Sequence, residues 1–224
     1  MKNKSSTLHD KSALQRVHEF ILDGHPCVMA RSVVANDQIM VSSYKSMNQL
    51  CPHHLLADMK AYLEDVEVNS MNFQTFIAVF EETDCSTELE FENNLWKILH
   101  NLRGIDTHSW DDSTSSNPVS PKFSYSLLGT SFYIVGMHPN SSRWARSSPV
   151  PMVVFNLHSQ FELLRKEGNY DRVRDLIRQR DEDYQGSVNP MVKDFGEDSE
   201  AKQYSGRAVE PDWKCPYKFE NNSQ

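Results

Sequence analysis

Two apolar runs in the second half of the chain, Ser131–Met137 and Met152–Asn156, restrict the fold more than any other feature. Both are short, rich in β-branched and aromatic residues, and bounded by Pro, Ser or Asn, so each reads as a strand buried in a sheet. Each also delivers a histidine to a junction. His138 precedes Pro139, which biases it to an extended backbone, and His158 opens a helical pattern running to Glu167 before Gly168. On this reading the two histidines face one another.

The rest of the pattern fits an α/β (or α+β) single domain: a mixed central sheet flanked by helices, with a long irregular C-terminal wrap. Leu14, Val17, Phe20 and Ile21 fall at helical spacing before Gly24. Cys27–Val34 and Gln38–Ser42 read as two short strands around a turn at Ala35-Asn36-Asp37. Leu56, Met59, Leu63 and Val66 mark a helix after Pro52, and Thr75–Phe80 a buried strand. Thr87 to Leu102 opens with a capping-box pair, Thr87 and Glu90, and carries Leu95, Leu99 and Leu102 on one face. Asp111–Pro118 with Pro121 is a polar loop, and a later helix turns Val173, Leu176 and Ile177 inward. The segment 184–224 lacks periodicity, yet Tyr184, Met191, Phe195, Tyr204, Trp213 and Tyr217 suit it to wrapping the core. At 224 residues the whole chain, 1–224, fits one domain.

Composition excludes several function classes. A net charge of −8, with basic residues interleaved among acids, disfavours nucleic acid and suits a cationic small molecule. No apolar run approaches the roughly 20 residues that cross a bilayer. Met1–Thr7 has charge but no apolar region behind it, which points to the cytosol, where Cys27, Cys51, Cys85 and Cys215 stay reduced. Their scatter, without a C-x-x-C pair, argues against a disulfide framework or a zinc ribbon. No G-x-G-x-x-G, P-loop, G-x-S-x-G or H-E-x-x-H occurs.

What remains is a histidine chemistry with basic company. Ser141, Ser142, Arg143 and Arg146 follow His138 closely, and two guanidinium forks with two hydroxyls suit carboxylates, phosphates or haem propionates. Asn156 is placed to cap the helix that His158 opens; the helix dipole there favours a neutral imidazole, and Glu162 lies four residues on to orient it. Cys27 follows His25-Pro26, and Cys51 and Cys215 each precede proline, a dipeptide that sometimes supplies a thiolate to haem iron. Asp194-Phe195-Gly196 and Ser199–Arg207 are turn-rich segments between aromatics, shaped to fit a ligand or to strap the core.

Taken together, Pro26-Cys27, Gly136–Arg143, Val154–Glu162, Asn189–Met191, Ser199–Arg207 and Trp213–Tyr217 resemble the YqcI/YcgG family in order and over most of the chain. Arg146-Ser147-Ser148 departs from the consecutive arginines and aromatic common in relatives. The resemblance implies a haem-dependent N-hydroxylase acting on the guanidino group of arginine or an arginine-derived amino acid, with haem b as cofactor and O2 or peroxide as oxidant. A haem sensor or carrier without turnover is the alternative. On the hydroxylase reading His138 ligates iron, with His158, Cys27 and Cys215 as alternatives. His158 otherwise serves as a distal proton relay; Ser142, Arg143, Arg146 and Arg207 hold the cofactor. Glu162, Asp194 and above all Glu200 meet the guanidinium, because a guanidinium prefers a bidentate carboxylate. An electron-donor protein and a homodimer are the protein partners left open.

Overall fold

The computed structural model describes residues 12–83, 85–191 and 193–217. The N-terminal stretch Met1–Thr7 and the last part of the C-terminal segment, 218–224, lie outside them. Five strands, β1 (Ile39–Tyr44), β2 (Thr75–Phe80), β3 (Tyr125–Leu127), β4 (Thr130–Met137) and β5 (Met152–Leu157), form one mixed sheet in the order β1-β2-β5-β4-β3. The β1–β2 pair is parallel and the others antiparallel. A parallel pair needs a crossover, and α3 (Pro52–Asp65) supplies it.

Strict alternation along the strands divides the apolar side chains between two layers. Phe76 and Phe80 of β2, Phe155 of β5 and Phe132 of β4 meet α3 and α4 (Glu88–Ile105) on one face. Ile77, Val79, Met152, Val154 and Met137 meet α1 (Ala13–Leu22) and α2 (Val28–Ala35) on the other. α5 (His158–Lys166) and α6 (Tyr170–Gln185) follow β5, and the chain then crosses back, with Tyr204 buried against Trp96 of α4. Among the described residues no helix is long and apolar enough to cross a membrane.

Several expectations are corrected. Cys27–Val34 is not a strand: Cys27 caps α2, its Sγ accepting from the Ala30 N–H at 3.5 Å. The eight-residue apolar run carries no periodicity able to separate the two states, and its valines pack a helix face on the sheet as well as a strand would. The turn at Asn36-Asp37 therefore joins a helix to β1, with Asp37 left-handed at φ 54°. Asn156 does not cap α5 but stays in β5, accepting from Thr75 Oγ1 at 2.9 Å. Leu176 is exposed, so α6 turns Val173 and Ile177 inward without it. β3 went unforeseen, and its hairpin rests on Leu128 and Gly129, both with positive φ as a two-residue primed turn requires.

Candidate functional site

The α1/α2 face of the sheet encloses a cavity of about 330 Å³. Its floor takes alternate residues of three strands: Tyr133, Val135 and Met137 of β4, Met152, Val154 and Asn156 of β5, Thr75 and Ile77 of β2. From the Tyr133 rung to the Met137 rung this floor spans about 13 Å. Val17, Ile21, Val33 and Val34 roof one side. The other wall is α6, where Tyr170, Val173, Arg174, Ile177, Arg178 and Asp181 recur at spacings of three and four and so share one face.

Each end of the cavity is polar. At the Tyr133 end, the Arg165 guanidinium lies 4.0 Å over the Tyr170 ring and donates to Tyr133 Oη at 3.2 Å. At the Met137 end, Arg146 donates to the Gly136 carbonyl at 3.0 Å, its stem passing Gly206, where a Cβ would stand 3.1 Å from Arg146 Cγ. Among the described residues no carboxylate pairs with Arg146. Burial lowers its pKa to about 10, with Cys27 and Asp181 pulling the other way, so the guanidinium stays charged at neutral pH without a direct ion pair. Beside it His25 donates through Nε2 to the Ala145 carbonyl at 2.9 Å and accepts the Cys27 N–H at Nδ1. Those bonds occupy both ring nitrogens. Cys27 Sγ accepts from the Ala30 N–H; burial pushes its thiol up, while the backbone N–H groups of Ala30 and Met29, and then Arg146 and Arg180, pull against that shift. Arg146, Arg165, Arg174, Arg178 and Lys193 line the cavity against one carboxylate, Asp181, itself held by Arg143 at 2.5 Å. Arg165 is paired with Glu162, and Arg174 and Arg178 with Asp194, which leaves Arg146 and Lys193 as the lining cations without an ion pair among the described residues and suits an apolar ligand with an anionic group.

The model of the YqcI/YcgG family matches residues 17–218. The chain belongs to the YqcI/YcgG family. No curated protein and no solved structure matches it. In this YqcI/YcgG protein the segments that resembled the family divide between the cavity and its supports. Pro26-Cys27 forms part of one wall of the cavity, beside Arg146 of the departing stretch Arg146-Ser147-Ser148, and Asn189 and Gln203 of the C-terminal segments reach it.

The two histidines do not face one another. Rungs Met137↔Met152 and Phe132↔Leu157 are the two ends of the β4–β5 ladder, and His138 lies beyond the first while His158 lies beyond the second. They are therefore some 16 Å or more apart along the strands and cannot serve one iron. His138 is fully buried on the α4 face, stacked on Phe91 at 4.4 Å, with both ring nitrogens unpartnered and burial lowering its pKa. It does not line the cavity, whereas its neighbour Met137 does. His158 stacks on Tyr133 at 4.8 Å and approaches Glu162 at 3.4 Å. Burial, and then Arg165, depress its pKa to about 4, so the imidazole is neutral as expected, chiefly through desolvation.

The other candidates, like His158, are not part of the cavity lining. Ser142 donates to Glu88 through both its backbone N–H and its hydroxyl. Arg143 clamps Asp181 and Ser187, and Arg207 pairs with Glu92 at 2.8 Å. Asp194 is shared by Arg174, Arg178 and Tyr170, and Glu162 pairs with Arg165. Glu200 is buried beside Tyr204 Oη, and desolvation lifts its carboxyl to about 8, so the acid is largely neutral at pH 7 in the free chain. Cys215 packs on the α3/α4 side, its thiol pushed up to about 12 by burial. Sequence reasoning missed Tyr133, Arg165, Tyr170, Arg174 and Arg178. The signal was present in α6, whose arginines fall in register with Val173 and Ile177 instead of opposite them.

Proposed function

We propose that the cavity is a haem pocket and that the protein N-hydroxylates the guanidino group of arginine or an arginine-derived amino acid. The observation that carries this reading is the coincidence of a thiol, Cys27, and an unpaired guanidinium, Arg146, on an apolar cavity with a basic rim. The residues fit the group. A haem iron brings its own nitrogen ligand frame and needs a single donor from the protein. Cys27 Sγ, at the N-terminus of α2, would be that donor and would lose its proton on ligation, since burial otherwise favours the thiol. Arg146 and Lys193 would meet the propionates or the substrate's carboxylate.

Bound haem supplies oxygen activation. That chemistry would draw on O2 with two electrons from a donor protein and two protons, or on peroxide without a donor, and would release water alongside the hydroxylated guanidine. The chain's own part is to keep water from the apolar floor, to fix the substrate between the two polar ends, and to hold a neutral imidazole, His158, against Tyr133 as a proton acceptor. A second reading, with His138 as the ligand, is supported by its two unpartnered ring nitrogens.

Haem content and turnover test both readings. Protein produced with a haem precursor should retain haem and yield hydroxylated product from arginine analogues by mass spectrometry. Cys27→Ser keeps an acceptor at the helix cap and should lose most of the haem, while His138→Ala should keep it. The reverse pattern transfers the ligand to His138. Retained haem without product under either oxidant supports a sensor or carrier, and failure to bind haem removes the cofactor and every role built on it.

A further inference from the structure

Outside the cavity wall lies a second recess, of about 330 Å³, lined by Glu19, Phe20 and Asp23 from the end of α1, Trp144 and Ser147 around the 3-10 turn Trp144–Arg146, and Tyr184 from the last turn of α6. Two of its walls are flat and perpendicular: the Trp144 and Tyr184 rings meet at 90° with centroids 5.7 Å apart. Both are exposed, Trp144 at 56% and Tyr184 at 39%, an unusual position for large aromatics. The arrangement is fixed from beneath, because the Gln185 side-chain amide accepts from the Trp144 backbone N–H at 2.8 Å and donates to the Ser142 carbonyl at 2.9 Å.

Three independent features give this recess one electrostatic sense. Indole and phenol faces attract cations through their quadrupoles. Glu19, which also accepts from the Gln15 side chain, and Asp23 bring two carboxylates to the recess. Both α1 and α6 end here, so the negative ends of two helix dipoles converge, and neither helix has a basic residue in its last turn to answer its dipole. We infer that the recess binds a small organic cation, of the alkylguanidinium or alkylammonium class, on the Trp144 and Tyr184 faces. The site is independent of the haem reading, since Arg146 and Cys27 open on the other side of the wall.

Calorimetric titration of the purified chain without added haem, using butylguanidinium and its neutral isostere butylurea, tests this directly. Butylguanidinium should bind saturably and at least tenfold more tightly than butylurea. Trp144→Ala should abolish the difference, and Glu19→Gln with Asp23→Asn should reduce it several-fold. Both changes are at exposed positions, and an unchanged circular dichroism melt certifies the fold. Equal heats for the two probes, or undiminished cation binding in folded Trp144→Ala, would overturn the inference.

Discussion

Glu200 sets the clearest single-residue signature. Its carboxyl rises from the usual 4.5 to about 8 because it is desolvated, Tyr204 and Ser124 notwithstanding. Between those values the folded chain keeps a proton that the unfolded chain has lost, so this group makes stability fall as pH rises, and the effect ends near pH 8. His25, His138 and His158 act oppositely. Burial lowers each below 6.5, so the folded state resists their protonation and their contribution is lost as pH falls below that value. From pH 6.5 to 8 the Glu200 slope therefore stands alone among these groups. Denaturant midpoints should decline across that window for the natural chain and stay level for Glu200→Gln; matching slopes would remove the neutral carboxyl. Glycines give a second test. At Gly136 a Cβ would meet Phe91 Cε1 at 2.6 Å and the Tyr204 carbonyl oxygen at 2.8 Å, whereas at Gly104, exposed in α4, it would meet nothing within 4 Å. Gly136→Ala should cost about 1–3 kcal/mol by overpacking and Gly104→Ala should gain about 0.5–1 kcal/mol in chemical denaturation.

Among the elements, α4 shows why part of the fold was legible in the sequence. The pair Thr87 and Glu90 predicted its start, and in the structure Thr87 Oγ1 accepts the Glu90 N–H at 3.1 Å while the Glu90 carboxylate accepts the Ser86 N–H at 2.6 Å. Thr87→Ala should cost about 1 kcal/mol in the same assay, and an unchanged midpoint would deny the cap its role. β2, β4 and β5 were legible because central strands show as continuous apolar runs. α2 was not, since an apolar run of eight residues that packs on a sheet has no distinguishing period. The candidate site was legible at Cys27 and Arg146 and hidden at Tyr133, Arg165 and Tyr170. Those three become neighbours only when α5 and α6 fold back along β4.

For the whole molecule, sheet register decides what can act together. Motif order along the chain made His138 and His158 look like partners, and an antiparallel ladder places them at its opposite ends. The same ladder makes the cavity floor, with Tyr133 and Met137 as its two ends and a thiol beside the latter. The central claim is that Cys27 holds haem in this cavity, and the ferrous–CO absorption spectrum of haem-loaded protein tests it most directly. The account predicts the strongly red-shifted CO band of thiolate ligation, absent from Cys27→Ser and preserved in His138→Ala. A histidine-type CO band that survives in Cys27→Ser and disappears in His138→Ala would contradict it.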